Sequence, residues 1–213
     1  MKFKGIEKVW DLIVLNLLFV LFSIPIVTMG AAATAMHYAL RRWREEQGDI
    51  PHDFVAAFRR NFKQATLMWM GFLILAAMLT LNFWIVDVWV GSVRDIFMTL
   101  LTVIGCVMLA WVGVVFPLLA RFDNTTFQMA KNALLLALSS PVRTLGAMLL
   151  NILPVLFALL LPNLFLITSV LWLGFLCSAS GLLVQLLFAP LLDRITKSEI
   201  LQDGSNTCPA DEE

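Results

Sequence analysis

Four long stretches of this sequence contain no charged side chain, and they constrain the fold more than any other feature. They are residues 12–40, 64–86, 96–120 and 144–192. Because about 20 apolar residues cross the hydrocarbon core of a bilayer, each of the first three can hold one span and the last can hold two. Only 14% of all residues are charged, against about 25% in soluble domains. The sequence therefore predicts an integral membrane protein with an all-α fold, a polytopic transmembrane helical bundle of about five spans. It excludes a soluble enzyme, a nucleic-acid-binding protein and a disordered regulator.

The limits of the spans follow from tryptophan and proline. Indole rings favour the headgroup region, and tryptophans flank the first run and close the second. The longest run divides at Leu161-Pro162-Asn163, because proline ends a helix and Asn suits the turn that follows. The predicted spans are residues 11–42, 65–86, 96–119, 144–161 and 164–190.

The distribution of Lys and Arg predicts the orientation in the membrane. Eleven of the fifteen lie in the loop before the second span, the loop before the fourth span and the C-terminal segment. Only Arg94 lies between the second and third spans. Because basic loops stay in the cytoplasm, the eleven and the C-terminus are expected there.

The first run admits three interpretations, because Lys2, Lys4 and Lys8 would lie on the wrong side of a five-span protein. It could re-enter between Pro25 and Gly30 and return, or it could be a cleaved signal peptide. Cleavage would put the Arg-rich loop outside, so we discount it. We favour one long, tilted helix kinked at Pro25, because residues 10–43 extend about 50 Å, enough for the hydrocarbon core and the headgroups.

Two segments resemble each other at a spacing of 71 to 73 residues. Arg60-Asn61 recurs as Lys131-Asn132, and a Pro-containing exit before Arg121 recurs before Arg194. Within a single transmembrane domain, residues 1–195, these similarities predict parallel repeat units 53–121 and 124–194, each a helix followed by an outward and an inward span. The remaining residues, 196–213, are predicted to be a disordered, acidic cytoplasmic tail.

The start of the first repeat unit predicts an amphipathic helix. Asp53 follows Pro51 and is expected to cap this helix, with phenylalanines on one face and cations on the rest. Such a helix is typical of the membrane interface, with its rings among acyl chains. A docking surface for a cytoplasmic partner, such as a transport ATPase, is the alternative. The candidate lipid or partner contacts are Phe54, Phe58, Arg59, Arg60, Phe62 and Lys63.

Ionisable groups inside the spans are nearly absent, so no catalytic, cofactor or metal site is predicted. The neutral polar residues there favour hydrogen bonding between helices. Two sites combine a proline with a polar residue, at Pro25–Gly30 and at Asn151–Pro154, and each could break a helix. The candidate structural or pathway residues are Asn16, Pro25, Thr28, Gly30, Asn82, Asn151, Pro154 and Gln185.

The phrase Ser23-Ile24-Pro25-Ile26-Val27-Thr28-Met29-Gly30-Ala31, with Arg121-Phe122-Asp123-Asn124 further on, resembles the YesL-type family of uncharacterised bacterial membrane proteins. The resemblance covers residues 1 to about 195. It implies a multi-pass protein of the bacterial cytoplasmic membrane, often encoded beside carbohydrate-uptake and polysaccharide-degradation genes. No catalytic residue is established for that family.

Two functional hypotheses follow. The first is an accessory or structural membrane component linked to carbohydrate uptake, with the lipid bilayer and a carbohydrate transporter or its ATPase as partners. The second is a small permease for a neutral solute. A polar cavity lined by Asn16, Asn82, Asn151 and Gln185 would favour the permease, and co-purification of a transporter ATPase would favour the accessory component.

Overall fold

A computed structural model describes residues 4–46, 48–161, 163 and 175–206. Within these ranges the chain consists of helices and connecting turns, and the predicted all-α bundle is confirmed. A 3-10 turn at Ile26–Thr28 lies between the first two of seven described α-helices. They are α1 (Lys4–Ser23), α2 (Met29–Arg44), α3 (Ile50–Asp87), α4 (Ser92–Leu119), α5 (Thr126–Ser139), α6 (Pro141–Leu160) and α7 (Cys177–Asn206).

Two of these helices, α3 and α4, are long and apolar enough to cross a membrane. The predicted spans 65–86 and 96–119 lie within them. Helices α5 and α6 are bent by 107° at Ser140, and they count as a third span if the pair is taken as one. Of the predicted fifth span, residues 164–174 lie outside the described residues, as does the turn residue Pro162.

The first uncharged run forms a helical hairpin, so the prediction of one long kinked helix is wrong. Trp43 Nε1 donates a hydrogen bond of 3.0 Å to Asp11 Oδ2, and Lys8 Nζ lies 3.7 Å from Glu46 Oε1. The start of α1 therefore lies beside the end of α2. A reversal of the chain at Pro25, the geometry of the re-entry alternative, is the conformation found. Proline interrupts the backbone hydrogen-bond ladder there, and the turn after it reverses the chain.

The hairpin packs against the first five turns of α3. Helix α2 runs antiparallel to α3, with Gly30 beside Trp69 at one end and Arg42 Nε 3.1 Å from Asp53 Oδ2 at the other. At 1.5 Å per residue, α3 is about 57 Å long, much longer than the hydrocarbon core of about 30 Å. Its N-terminal turns therefore belong to the packed part of the molecule.

Helix α4 returns along α3 and carries the chain back to the same end as the hairpin. Arg94 Nη2 lies 2.6 Å from Asp87 Oδ1 near the first turn of α4, and Arg121 just past its end pairs with Asp193 of α7. We call the end of the bundle that holds Lys8, Arg42 and Arg121 the basic end. The hairpin places Lys8 beside the Arg-rich turn, as only the re-entry alternative implied.

The two predicted repeat units differ where each changes from its first helix to its span. In the first unit, α3 continues without a break, whereas in the second the chain bends between Ser139 and Pro141. A residue before proline avoids the helical conformation, and Ser140 has φ −131° and ψ 64°. A Cβ on Gly113 of α4 would lie 3.5 Å from Ala147 Cβ and 3.7 Å from Asn151 Nδ2, so α4 and α6 are neighbours. Superposition of the units stays a prediction.

The prediction of disorder is wrong for residues 196–206, because α7 continues to Asn206. Between residues 191 and 203 the sequence contains neither proline nor glycine, and Asp193 and Lys197 have the i, i+4 spacing that supports a helix. Residues 207–213 lie outside the described residues.

Buried side chains concentrate towards the basic end. One cluster joins the last turns of α4 to α5, α6 and α7, around Leu119, Met129 and Phe188. A second joins α1, α2 and the start of α3, around Leu15 and Phe54. The distant parts of α3 and α4, by contrast, expose large apolar side chains on most of their surface. This exposure is typical of helices that face lipid.

Candidate functional site

A cavity of about 640 Å³ lies between α1, α2, α3, α4, α6 and α7. Small residues on three of the facing helices, Ala33, Gly113 and Gly181, are among its lining residues. The other walls are chiefly apolar, and polar side chains are few. The larger apolar lining residues include Phe19, Met29, Trp69, Phe72, Val112 and Phe116.

Three polar side chains line the cavity: His37, Asn151 and Ser180. Ser180 Oγ donates to the Cys177 carbonyl at 2.8 Å, and Asn151 Nδ2 donates to the Ala147 carbonyl at 2.8 Å. The His37 side chain is only 7% exposed, and its Nδ1 has no hydrogen-bond partner among the described residues. The described lining contains no Lys, Arg, Asp or Glu. The cavity is therefore suited to an uncharged, mostly apolar guest.

The four amide side chains predicted to line a pathway do not come together. Asn151 lines the cavity, whereas Asn16 is buried and accepts a hydrogen bond of 2.8 Å from the Ser178 backbone N–H. Gln185 is buried too, and its Nε2 donates to the His37 carbonyl. Asn82 is exposed on α3, where it donates to the Met78 carbonyl. Three of the four therefore act within or between helices, and only one borders the cavity.

Helix α6 continues through Pro154, so the helix is not interrupted at Asn151–Pro154. A bend at this position stays a prediction. The side chain of Pro154 lies outside the described residues. Asn151 donates its amide to a carbonyl one turn earlier and keeps its position on the cavity wall.

The other site at which a helix break was predicted, Pro25–Gly30, is a tight reversal of the chain direction. Thr28 Oγ1 lies 2.6 Å from the Phe22 carbonyl and 2.8 Å from the Pro25 carbonyl, so it supplies the expected partner for the interrupted backbone. A Cβ on Gly30 would lie 2.6 Å from Trp69 Cβ, so only glycine fits this contact. We expected this segment to pack against other helices and not to face lipid, which is wrong for its tip, because the side chains there are exposed. They are Ile24 (70%), Ile26 (64%) and Val27 (46%).

The predicted amphipathic helix is the N-terminal part of α3, and its aromatic face is buried. Phe54 is fully buried, and the Phe22 ring of α1 packs edge-on against Phe54 and Phe58 at 5.5 and 4.8 Å. The prediction of lipid or partner contact is therefore wrong for Phe54, and Phe58 is half-buried. The hairpin supplies the apolar partner that sequence reasoning assigned to acyl chains. Asp53 does not cap the helix, because α3 begins at Ile50 and Asp49 occupies the cap position.

The polar part of the same surface remains accessible. Arg59, Arg60 and Lys63 are exposed, and Phe62 is 38% exposed. The Arg60 guanidinium lies 4.9 Å from the centre of the Tyr38 ring. These cations therefore remain candidate contacts for an acidic partner or for anionic headgroups.

Sequence reasoning missed the ion pairs that close the basic end. Asp53 is buried beside Arg42. A hydrogen bond with Tyr38 and then the Asp53 carboxylate raise the pKa of Arg42. Arg121 pairs with Asp193, 72 residues away. No local sequence pattern predicts ion pairs between residues so far apart in the chain. The cavity role of His37 was also missed, because a lone histidine near a span end is typical of packing.

Among the described residues, no group of three or more His, Cys, Asp or Glu side chains is placed to hold a metal ion. The first residue types to test in this molecule are therefore those of the cavity and of the exposed basic surface.

Comparison with known proteins finds one similarity. No curated protein and no solved structure matches the chain significantly. Residues 12–83 match the family model described as "Protein of unknown function, DUF624". That segment comprises the hairpin from Leu12 onward and nearly all of α3, and it includes the Pro25–Gly30 reversal. About a third of the chain, the hairpin with its long partner helix, is thus similar to the DUF624 family.

Proposed function

We propose that this protein is an accessory component of the bacterial cytoplasmic membrane that supports a carbohydrate uptake system. Helices α3 and α4 have the length and hydropathy of membrane spans, as expected of an integral membrane protein. The resemblance to YesL-type proteins supports the link to carbohydrate uptake, and the DUF624 match is in keeping with it. No catalytic step is part of the proposal.

The observation that carries the proposal is the exposed basic surface on the N-terminal turns of α3. The helix is continuous from Ile50 to Asp87, so the turns that carry Arg59 and Lys63 extend the line of the span. They do not form a separate helix in the membrane plane. Because Phe54 is in the protein core, this part of α3 has no fully exposed aromatic face to insert among acyl chains. Both facts favour a protein partner over an interfacial lipid anchor.

The proposal places the basic end in the cytoplasm. The grouping of Lys8 with the Arg-rich turn supports this orientation through the positive-inside rule. A transporter ATPase with an acidic patch would then meet Arg59, Arg60 and Lys63 from the cytoplasmic side, where complementary charge speeds association and selects the partner.

Affinity purification of the full chain in a gentle detergent tests the proposal. We expect a carbohydrate-transport ATPase, identified by mass spectrometry, to accompany the wild type and to be lost from the Arg59→Glu/Lys63→Glu variant. Lys131→Glu, also exposed but on α5, is the matched control and should retain it. Absence of any such ATPase from the wild type, or equal recovery with the double variant, would contradict the proposal.

A permease for a neutral solute is the second candidate, and the cavity of about 640 Å³ favours it. It ranks second because only Asn151 of the four amides lines that cavity. Uptake of neutral solutes into proteoliposomes, abolished by Asn151→Leu with folding intact, would reverse this order.

A further inference from the structure

We propose that α5 lies in the plane of the membrane, in the leaflet on the side of the basic end, with its exposed apolar face among lipid acyl chains. This inference is independent of the accessory role, because it concerns another helix and a lipid surface instead of a protein partner. It gives α5 the location that the sequence predicted for the start of α3. The exposed face consists of residues spaced for one side of a helix, which are Phe127, Lys131, Leu134, Leu135 and Leu138.

Helix α5 has a buried face and an opposite, exposed face that is largely apolar. Met129 is fully buried in the cluster at the end of α4, and Trp111 Nε1 of α4 donates a hydrogen bond of 2.9 Å to the Ala130 carbonyl. On the other side of α5, Phe127 is 80% exposed and Leu138 is 64% exposed. Large exposed apolar side chains grouped on one face indicate an interaction surface.

A contact with α3 places the start of α5 at the membrane boundary. Gln64 Nε2 of α3 donates a hydrogen bond of 2.8 Å to the carbonyl of Asn124, just before α5. From Gln64 to Asp87, α3 extends about 34 Å at 1.5 Å per residue, slightly more than the hydrocarbon core of about 30 Å. With Trp84 and Trp89 among the headgroups at the far end of α3, α5 begins close to the boundary on the side of the basic end.

The bend after α5 keeps its other end at the same boundary. Helix α6 has 20 residues, so it needs its whole length of about 30 Å to cross the core. The bend between α5 and α6 is 107°, close to a right angle, so α5 lies nearly in the membrane plane when α6 crosses the membrane. Thr144 Oγ1 donates a hydrogen bond of 3.0 Å to the Ala137 carbonyl, which holds the last turn of α5 to the first turn of α6.

The surface that continues beyond α5 favours lipid over a second protein. Exposed apolar side chains follow the bend onto α6, where Val142 is 81%, Leu145 is 58% and Leu149 is 64% exposed. Lys131 is the one charged residue of α5, and its long apolar stem lets the ammonium group reach the lipid phosphates. A helix that combines large apolar residues with a cation in this way is typical of the membrane interface.

Electron paramagnetic resonance with power saturation tests the proposal on the full chain, its native cysteines replaced, in liposomes of phosphatidylcholine and phosphatidylglycerol. Oxygen reports exposure of a spin label to acyl chains, and a nickel chelate reports exposure to water. We expect labels at Phe127→Cys and Leu138→Cys to respond more to oxygen, like a label at Met78→Cys on α3, which is 57% exposed. A label at Glu45→Cys, exposed at the basic end, should respond more to nickel. A nickel preference at the two α5 sites would place this face in water, and a weak response to both reagents would place it against protein. Either result would overturn the proposal.

The depths of the two α5 labels test the in-plane orientation. Positions 127 and 138 should lie at closely similar depths if α5 is parallel to the membrane surface. A helix along the membrane normal would separate them by about 16 Å at 1.5 Å per residue. A difference in depth of more than half that value would overturn the orientation.

Two double variants that introduce the same residue type distinguish the faces of α5. Phe127→Asp/Leu138→Asp should reverse the oxygen preference of a label at Leu134→Cys, because carboxylates are unfavourable in hydrocarbon. Gln128→Asp/Asn132→Asp, at exposed polar positions beside that face, should leave the oxygen preference unchanged. The same response to both double variants would contradict the assigned face. If Phe127→Asp/Leu138→Asp fails to give a monodisperse protein, the depths of the single labels decide alone.

Discussion

The two halves of α3 both contain many apolar residues, but they differ in charge and in what surrounds them. From Ile50 to Trp69, the inner half, seven side chains are buried against the hairpin and the neighbouring helices. From Met70 to Asp87, the outer half, only Val86 is buried. Apolar residues are frequent in both, yet the protein covers those of one half and leaves those of the other for lipid. Hydropathy identifies residues that avoid water, but it does not say whether protein or lipid replaces the water.

The largest expected effect is at Phe54, in the inner half. Phe54→Ala removes a fully buried ring and should lower the free energy of unfolding by about 3–5 kcal/mol. Ile74→Ala in the outer half removes a side chain that is 57% exposed and should have a much smaller effect. Unfolding by SDS in mixed micelles measures both. Equal losses would show that the two halves do not differ as described.

Substitutions that add side-chain volume should also affect stability differently in the inner and outer halves of α3. Gly30→Leu forces a side chain against the Ala65 carbonyl and Trp69 Cβ, where even a Cβ would be within 2.9 Å, and should cost about 3 kcal/mol. A Cβ added at Gly71 in the outer half would meet nothing within 4 Å, so Gly71→Leu should not destabilise the protein. Thermal unfolding followed by size-exclusion chromatography compares the pair, and a tolerated Gly30→Leu would mean that α2 and α3 are not in contact there.

Two ion pairs, each formed by an aspartate of α3 with an arginine of another helix, allow the same comparison of the two halves for charged groups. Asp53→Asn disrupts a buried carboxylate beside Arg42, which is itself 35% exposed, and should cost about 2 kcal/mol, less than a fully buried pair. Asp87→Asn disrupts the exposed pair with Arg94, which contributes about 0–1 kcal/mol. SDS unfolding at low and high salt distinguishes them, since salt should weaken only the exposed pair. The same salt response at both sites would contradict the burial of Asp53.

The smallest expected change in stability follows the removal of a threonine hydroxyl group. Thr28→Val removes the hydrogen bonds of Oγ1 to the Phe22 and Pro25 carbonyls and should cost about 1 kcal/mol. Thr80→Val in the outer half removes a bond to the Ala76 carbonyl within one helix and should change stability less. A shift of the unfolding midpoint for Thr80→Val that matches or exceeds the Thr28→Val shift would contradict a structural role for the reversal.

The sequence was sufficient to predict the properties that depend only on how residues partition between water and an apolar environment. Charge-free runs predicted the helical fold and the two segments, within α3 and α4, that are long and apolar enough to cross a membrane. The sequence was insufficient to predict which helices pack against each other. Pro25 signals an interruption, but a kink and a reversal begin with the same residue, so the hairpin was not the favoured interpretation. The Phe54 face looked like a membrane anchor because its covering helix, α1, is distant in sequence.

The candidate site was predictable only in part. Asn151 was recognised as a polar residue at membrane depth, but its separation from Asn16, Asn82 and Gln185 depends on which way each helix faces. His37 carried no motif, and it is set apart only by its position at the cavity and by a buried nitrogen that has no hydrogen-bond partner among the described residues. The position of His37 at the cavity depends on how six helices pack together, and no local residue spacing predicts that packing.

The central claim is that residues 4–46 form a hairpin whose two ends meet at the basic end. Double electron–electron resonance between spin labels at Lys8→Cys and Glu46→Cys, in a chain whose native cysteines are replaced, tests it directly in nanodiscs. The ion pair between these residues at 3.7 Å predicts a distance distribution at the short limit of the method. One continuous helix would hold the two positions about 57 Å apart at 1.5 Å per residue, and a distribution centred near that distance would contradict the hairpin.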